Sequence, residues 1–213
     1  MGGTLRHIVL LGDSIFDNAA YVPGGPDVVR QLQERLGGGS RASLLAVDGA
    51  VVDGVRRQLD RLPADATHLV VSAGGNDALG ASGVLREGVR SVAEAVGMLG
   101  GVAEAFGRGY GTMLDQVLAR GLPTAVCTIY DANYPEPERK VIVAALSLFN
   151  DAITRAAFAR GLPLIDLRLI CNEPGDYANP IEPSVQGGAK MAVAIARLAE
   201  VGSWGGDSLV IAC

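Results

Sequence analysis

Short apolar runs rich in β-branched residues recur along the chain, at residues 7–11, 43–47, 68–73, 124–129 and 162–167. Between and after them the apolar positions change to helical spacing, at 28–36, 52–62, 84–120, 136–160 and 185–201. Strand-like runs alternating with helices of this length predict βαβ units, and so a parallel sheet with helices on both faces. Pro63 stops the second helix, and Gly121 and Gly161 close the third and fourth. The phrase Ala-Arg-Gly-Leu-Pro occurs at both 119–123 and 159–163. It solves the same helix-to-strand joint twice and is not an internal repeat. No linker or low-complexity stretch interrupts the pattern, so residues 1–213 read as a single domain.

Two segments fit this pattern less well. Glycines stand at 97, 100, 101, 107, 109 and 111, inside the longest helical stretch. Each costs about 1 kcal/mol relative to Ala in a helix interior, so a break or two packed helices is expected there. Residues 203–213 are Gly-rich and then apolar, which suits either a short extra strand or a loose tail.

Composition narrows the class. Of 213 residues, 49% are hydrophobic and 19% charged, a balance that supports a packed core and excludes a disordered chain. Mean hydropathy is +0.28, but the apolar residues are spread in short runs. The longest candidate, 141–148, falls short of the roughly 18 residues a membrane span needs. A net charge of −5 disfavours nucleic acid or an anionic membrane surface as partner. The first six residues carry neither an apolar signal core nor a myristoylation pattern. Cys127, Cys171 and Cys213 show no metal-ligand spacing and read as reduced thiols, so a cytoplasmic location is expected.

The chemistry concentrates in the turns after the first three strands. These read Gly12-Asp13-Ser14, Asp48-Gly49-Ala50 and Gly74-Gly75-Asn76-Asp77. In a parallel sheet all three tips lie at the carboxyl edge, where open α/β folds bind ligands. Ser14 brings a hydroxyl, Gly49 a close backbone N–H, and Asn76 a carboxamide donor. A nucleophile with two converging donors is the arrangement of acyl transfer through an oxyanion hole. Asp13, Asp77, Asp17 and Asn18 read as turn and loop residues, and Asp166 as structural. Tyr130, Asp131, Asn133 and Tyr134 follow the fourth strand on the same edge. Ser184 is a candidate N-cap for the last helix, and Lys190 on that helix is expected to face solvent.

These blocks resemble the SGNH hydrolase superfamily, the GDSL-type esterases and lipases. Gly12-Asp13-Ser14 matches its nucleophile block, Gly49 its oxyanion glycine, and Gly74-Gly75-Asn76-Asp77 its Gly-x-Asn-Asp block. Residues 179–192 are similar to its last block. The resemblance implies a three-layer α/β/α sandwich on a five-stranded, flavodoxin-like parallel sheet. It also implies no metal or organic cofactor, and hydrolysis of esters, thioesters or acetylated sugars, with a small acyl ester as the partner molecule.

One departure is central. The family's last block supplies Asp and His as Asp-x-x-His-Pro, whereas this chain reads Asn179-Pro180-Ile181-Glu182-Pro183. Glu182 takes the base position and Asn179 the orienting one. His7 and His68 begin the first and third strands, which puts both at the far edge of the sheet from Ser14. Asp with neutral His carries one negative charge, and so does Asn with Glu. Asn179 also avoids a second carboxylate beside Glu182, to which it can hydrogen-bond. Glu is shorter than His, so Ser14 is to be reached either by direct contact or through one bridging water. Its ordinary pKa is about two units lower, which makes it a weaker acceptor of the serine proton. The sequence therefore supports a hydrolase working through Ser14, Gly49, Asn76, Glu182 and Asn179. The alternatives are a catalytically impaired binding protein or an acyltransferase in the same pocket.

Overall fold

The computed structural model describes residues 5–201, 204 and 208–212. The strands are β1 (His7–Gly12), β2 (Arg41–Leu44), β3 (His68–Ser72), β4 (Thr124–Cys127), β5 (Leu164–Ile165), β6 (Tyr177–Asn179), β7 (Glu182–Pro183) and β8 (Val210–Ile211). The α-helices are α1 (Val28–Leu36), α2 (Val55–Leu59), α3 (Gly75–Ala81), α4 (Val92–Leu118), α5 (Glu138–Phe158), α6 (Leu167–Ile170) and α7 (Val185–Glu200). Six strands form one parallel sheet in the order β2-β1-β3-β4-β5-β8, and β6 and β7 pair as a small antiparallel hairpin.

Alternation along β1 builds the layers. Ile8 and Leu10 face a core shared with Leu32 of α1 and Met191 and Ile195 of α7. Val9 and Leu11 face the other core, with Val55 of α2, Leu114 of α4 and Ile153 of α5. This is the expected α/β/α sandwich. The sheet has six strands, not five, because residues 210–211 of the tail add an edge strand beside β5. The chain steps from β1 outward to β2, then back across to β3. That reversal leaves a crevice at the carboxyl ends of β1 and β3, where such sheets bind ligands.

Element boundaries moved for local reasons. The second strand begins earlier than expected because the Arg41 N–H already donates to the Arg6 carbonyl. It ends earlier because the Gly12 N–H donates to Gln58 and not to this strand, although the Leu45 and Val47 N–H groups still donate to the Leu10 and Gly12 carbonyls. The fifth strand shortens to two residues as Asp166 turns to cap α6. Helix 52–62 is a 3-10 turn (Val52–Gly54) followed by the short α2. The block read as the third turn is the start of a helix, since α3 begins at Gly75 and takes in Asn76 and Asp77.

The expected break in 97–111 is absent, since α4 is one helix of 27 residues. Ser91 caps it, accepting from the Glu94 N–H. Its second half buries Phe106, Tyr110, Met113, Leu114 and Val117, which offsets the glycine penalty. Gly107 and Gly111 face Ala152 of α5 and Arg160 just beyond it, where an added Cβ would make ordinary van der Waals contact at 3.5 Å.

Helix α5 is long and apolar enough to cross a membrane by length and composition, which the 141–148 run alone did not suggest. In this fold it packs on the sheet through Leu146, Phe149, Ile153 and Ala157. Cys127 and Cys171 are buried, and Cys213 lies outside the described residues.

Candidate active site

Ser14 stands in the turn that leaves β1, and a glycine makes that turn possible. Gly12 has φ +128°, and a Cβ there would run into the Ser72 carbonyl of β3. Gln58 grips the Gly12 backbone from both sides. The Gly12 N–H donates to Oε1 at 2.8 Å, and Nε2 donates to the Gly12 carbonyl at 2.7 Å. The Asp13 carboxylate accepts the Ile15 N–H at 3.1 Å, closing the turn as a local Asx bond does.

The Ser14 hydroxyl donates directly to Glu182 Oε1 at 3.0 Å. Of the two routes, direct contact holds, because β7 carries the Glu182 backbone close to the nucleophile turn. Both residues are nearly closed off, Ser14 at 7% and Glu182 at 5% exposure. Glu182 Oε2 is buried and has no hydrogen-bond partner among the described residues. Burial pushes the Glu182 carboxyl up to about 7 and the Asp48 charge adds to this, while the Ser14 hydrogen bond pulls the other way.

The backbone around Glu182 is pinned from several elements. Asn179 Oδ1 accepts the N–H groups of Ile181 and Glu182 at 2.9 and 3.0 Å, closing the β6–β7 turn. Asn179 therefore bonds the Glu182 backbone and not its carboxyl group. The Tyr130 hydroxyl donates to the Ile181 carbonyl at 2.7 Å, and the Asn133 N–H donates to Pro180 at 2.8 Å. Asn18 links the nucleophile loop to this segment. Its Nδ2 donates to the Pro183 carbonyl at 3.2 Å while its Oδ1 accepts the Val28 N–H at 3.0 Å.

Ser14, Asn76 and Glu182 line one cavity of about 560 Å³. Asn76 is tied in place by one of its amide hydrogens, with Nδ2 donating to the Ala50 carbonyl at 3.0 Å. That bond joins the second turn to the third and leaves the other amide hydrogen for a ligand. Gly49 takes a left-handed conformation (φ +75°) that only glycine adopts easily. Its N–H has no acceptor among the described residues, and it sits exposed just outside the cavity lining. Asn179 does not line the cavity either.

Two acids beside the nucleophile carry more weight than the sequence suggested. Asp13 is 2% exposed, and burial pushes its carboxyl up to about 7 with smaller contributions from the charges of Glu182 and Asp77. Asp48 is held by the Tyr21 hydroxyl at 2.8 Å, and its N–H donates to Asp17 at 2.9 Å.

The histidines are where the sequence places them, at the opposite edge. His7 bridges Asp65 at 3.0 Å and Ser43 at 2.8 Å, and His68 packs edge-on against Trp204. Lys190 does not face solvent freely. Its ammonium bonds Asp176 at 2.8 Å and Glu173 at 3.0 Å, and Asp176 is fully buried. A buried carboxylate needs such a partner, and this pair holds the 173–176 turn against α7. Ser184 caps α7 as expected, accepting the Gly187 N–H. No group of His, Cys, Asp and Glu suited to a metal ion occurs among the described residues.

Comparison with known proteins identifies the family and the fold. Residues 10–189 match the model of the GDSL-like lipase/acylhydrolase family. No curated protein matches the sequence significantly. Among solved structures, the lipase Lip_vut3 from a goat rumen metagenome superposes with a TM-score of 0.69 at 18% identity, covering 95% of this chain and 99% of that one. Phospholipase A1 from Streptomyces albidoflavus NA297 gives 0.66 at 16% identity, covering 93% and 100%. An extracellular lipase from Streptomyces rimosus gives 0.63 at 18%, covering 91% and 99%. At these identities the likeness is one of fold.

Proposed function

Because this chain belongs to the GDSL-like lipase/acylhydrolase family, and so at family level to the ester hydrolases, we propose that it hydrolyses carboxylic or thioester acyl bonds with Ser14 as nucleophile and Glu182 as base. The observation that carries this reading is the direct hydrogen bond from Ser14 Oγ to Glu182 Oε1. A base must reach the proton it removes, and this one does so at 3.0 Å.

Ser14 Oγ attacks the acyl carbon as its proton passes to Glu182. The Gly49 N–H and the remaining Asn76 amide hydrogen stabilise the oxyanion. As the tetrahedral intermediate collapses, the leaving alcohol or thiol takes the proton back from Glu182. Water then attacks the acyl-serine, giving its proton to the same carboxylate, and as the second intermediate collapses Ser14 Oγ takes that proton and the acid is released. Neutral Glu182 forms transiently without a buried cation, so no orienting carboxylate is required. Asn179 then has only the backbone of Glu182 to fix, and the amide does so.

The test is hydrolysis of a short-chain aryl ester from pH 5 to 9. Turnover should rise with pH through about 7 as Glu182 loses its proton. Ser14→Ala should lower kcat by at least about a thousandfold. Activity that survives Ser14→Ala, or a rate that falls as pH rises through 7, contradicts the proposal.

A further inference from the structure

We infer that the cavity beside Ser14 holds the acyl chain of the substrate, and that Ala81, Val102 and Phe149 set the length of chain it accepts. The inference rests on the hydrolase reading above and narrows its substrate class to esters of medium or long linear acyl groups, against acetyl esters.

The groups with chemistry, Ser14 in its turn, Asn76 in the first turn of α3 and Glu182 on β7, gather at the sheet edge. Beyond them the walls are apolar, with Ile15, Ala78, Leu99, Ile142 and Leu146 contributed by the nucleophile loop, α3, α4 and α5. About 560 Å³ is far more than an acetyl group fills. Apolar cavities take up water poorly and alkyl groups well, so a short acyl group leaves most of the available binding energy unused. Leu79, Leu85 and Val141 line the same cavity and are also exposed, beside the exposed Ser82, Arg86 and Glu138, so apolar and polar groups share its mouth.

The acyl group suits this cavity better than the alcohol does. It stays bonded to Ser14 through both half-reactions, so burial of its chain assists both. The alcohol must leave after taking its proton from Glu182. On that side the neighbours are polar, Asp48 with Tyr21 and Asp17.

A partition limits the chain. A second cavity of about 520 Å³ shares Ala81, Val102 and Phe149 with the first. Past these three residues the lining mixes Val52, Phe106 and Met113 with Asp53, Asp77, Thr112 and Gln116. The side chains of the partition therefore stand between the chain and further apolar wall, and they determine where it stops.

The experiment measures kcat/KM for p-nitrophenyl esters from acetate to palmitate, beside a series of alkyl acetates. In the acyl series, kcat/KM should rise about fourfold per methylene and then reach a plateau. Ala81→Phe should move the plateau to shorter esters. Val102→Ala, which joins the cavities, should move it to longer ones. Both residues are only partly buried, and unchanged thermal unfolding verifies that the variants fold. A flat acyl series, a rise in the alcohol series instead, or a plateau unmoved by both variants overturns the inference while leaving Ser14-dependent hydrolysis intact. Should rates prove independent of Ser14, the hydrolase reading fails. Calorimetry with hexanol and decanol on Ser14→Ala protein then decides the cavity assignment alone. Tighter decanol binding that Ala81→Phe abolishes sustains it, and no binding overturns it.

Discussion

A carboxylate can stand where an imidazole is expected only if its surroundings raise its affinity for a proton. An ordinary Glu titrates at about 4.3, two units below His, which corresponds to about 2.7 kcal/mol of lost driving force. In this site burial, an unpartnered Oε2 and the Asp48 charge bring Glu182 to about 7. That recovers the basicity the residue type lacks. Glu182→Gln can keep the hydrogen bond from Ser14 but cannot take its proton, so kcat/KM should fall about 10²–10⁴-fold. A loss below tenfold would remove Glu182 from the mechanism. The pair Asn179→Asp with Glu182→His rebuilds the usual arrangement. Comparable turnover in parent and pair is expected. Hydrolysis by the pair alone would make the parent a binding protein instead.

Among the elements, the glycines separate into those the fold requires and those it tolerates. Gly12 has no room for a Cβ against the β3 backbone and sits at positive φ. Gly12→Ala should cost more than about 3 kcal/mol in denaturant unfolding and displace Ser14 with it. Gly101 lies in the exposed first half of α4, where a Cβ would meet nothing within 4 Å. Gly101→Ala should stabilise the protein by about 0.5–1 kcal/mol. Glycine frequency alone predicted a broken helix. The helix persists because apolar burial in its second half outweighs the local penalty, and propensity carries no information about that burial.

At the scale of the whole molecule, the site concentrates buried acid at the nucleophile, with Asp13 and Glu182 both brought to about 7. A carboxyl raised in the fold keeps its proton where the unfolded chain has lost it. Its stabilising contribution is complete below about pH 4 and is lost as pH rises through about 7. Stability should therefore fall over this window while the proposed turnover rises. Thermal unfolding of Asp13→Asn should show a flatter pH dependence and, at pH 8, a gain of about 2 kcal/mol over the parent. A parent whose stability climbs from pH 5 to 8, with no change on Asp13→Asn, would contradict this electrostatic account. Much of the protein was legible in its residues. The alternation of runs predicted the parallel sheet, and the turns at Ser14, Gly49 and Asn76 followed because each signal is local and lies directly after a strand. The block frame also singled out Glu182, across 168 positions from Ser14. What only the folded chain decided depends on distant neighbours at once. The direct Ser14–Glu182 bond, the unpartnered Oε2, the raised acids, the Lys190–Asp176 anchor and the partition at Ala81, Val102 and Phe149 each arise from burial. Burial sums over several elements, and no local pattern encodes that sum.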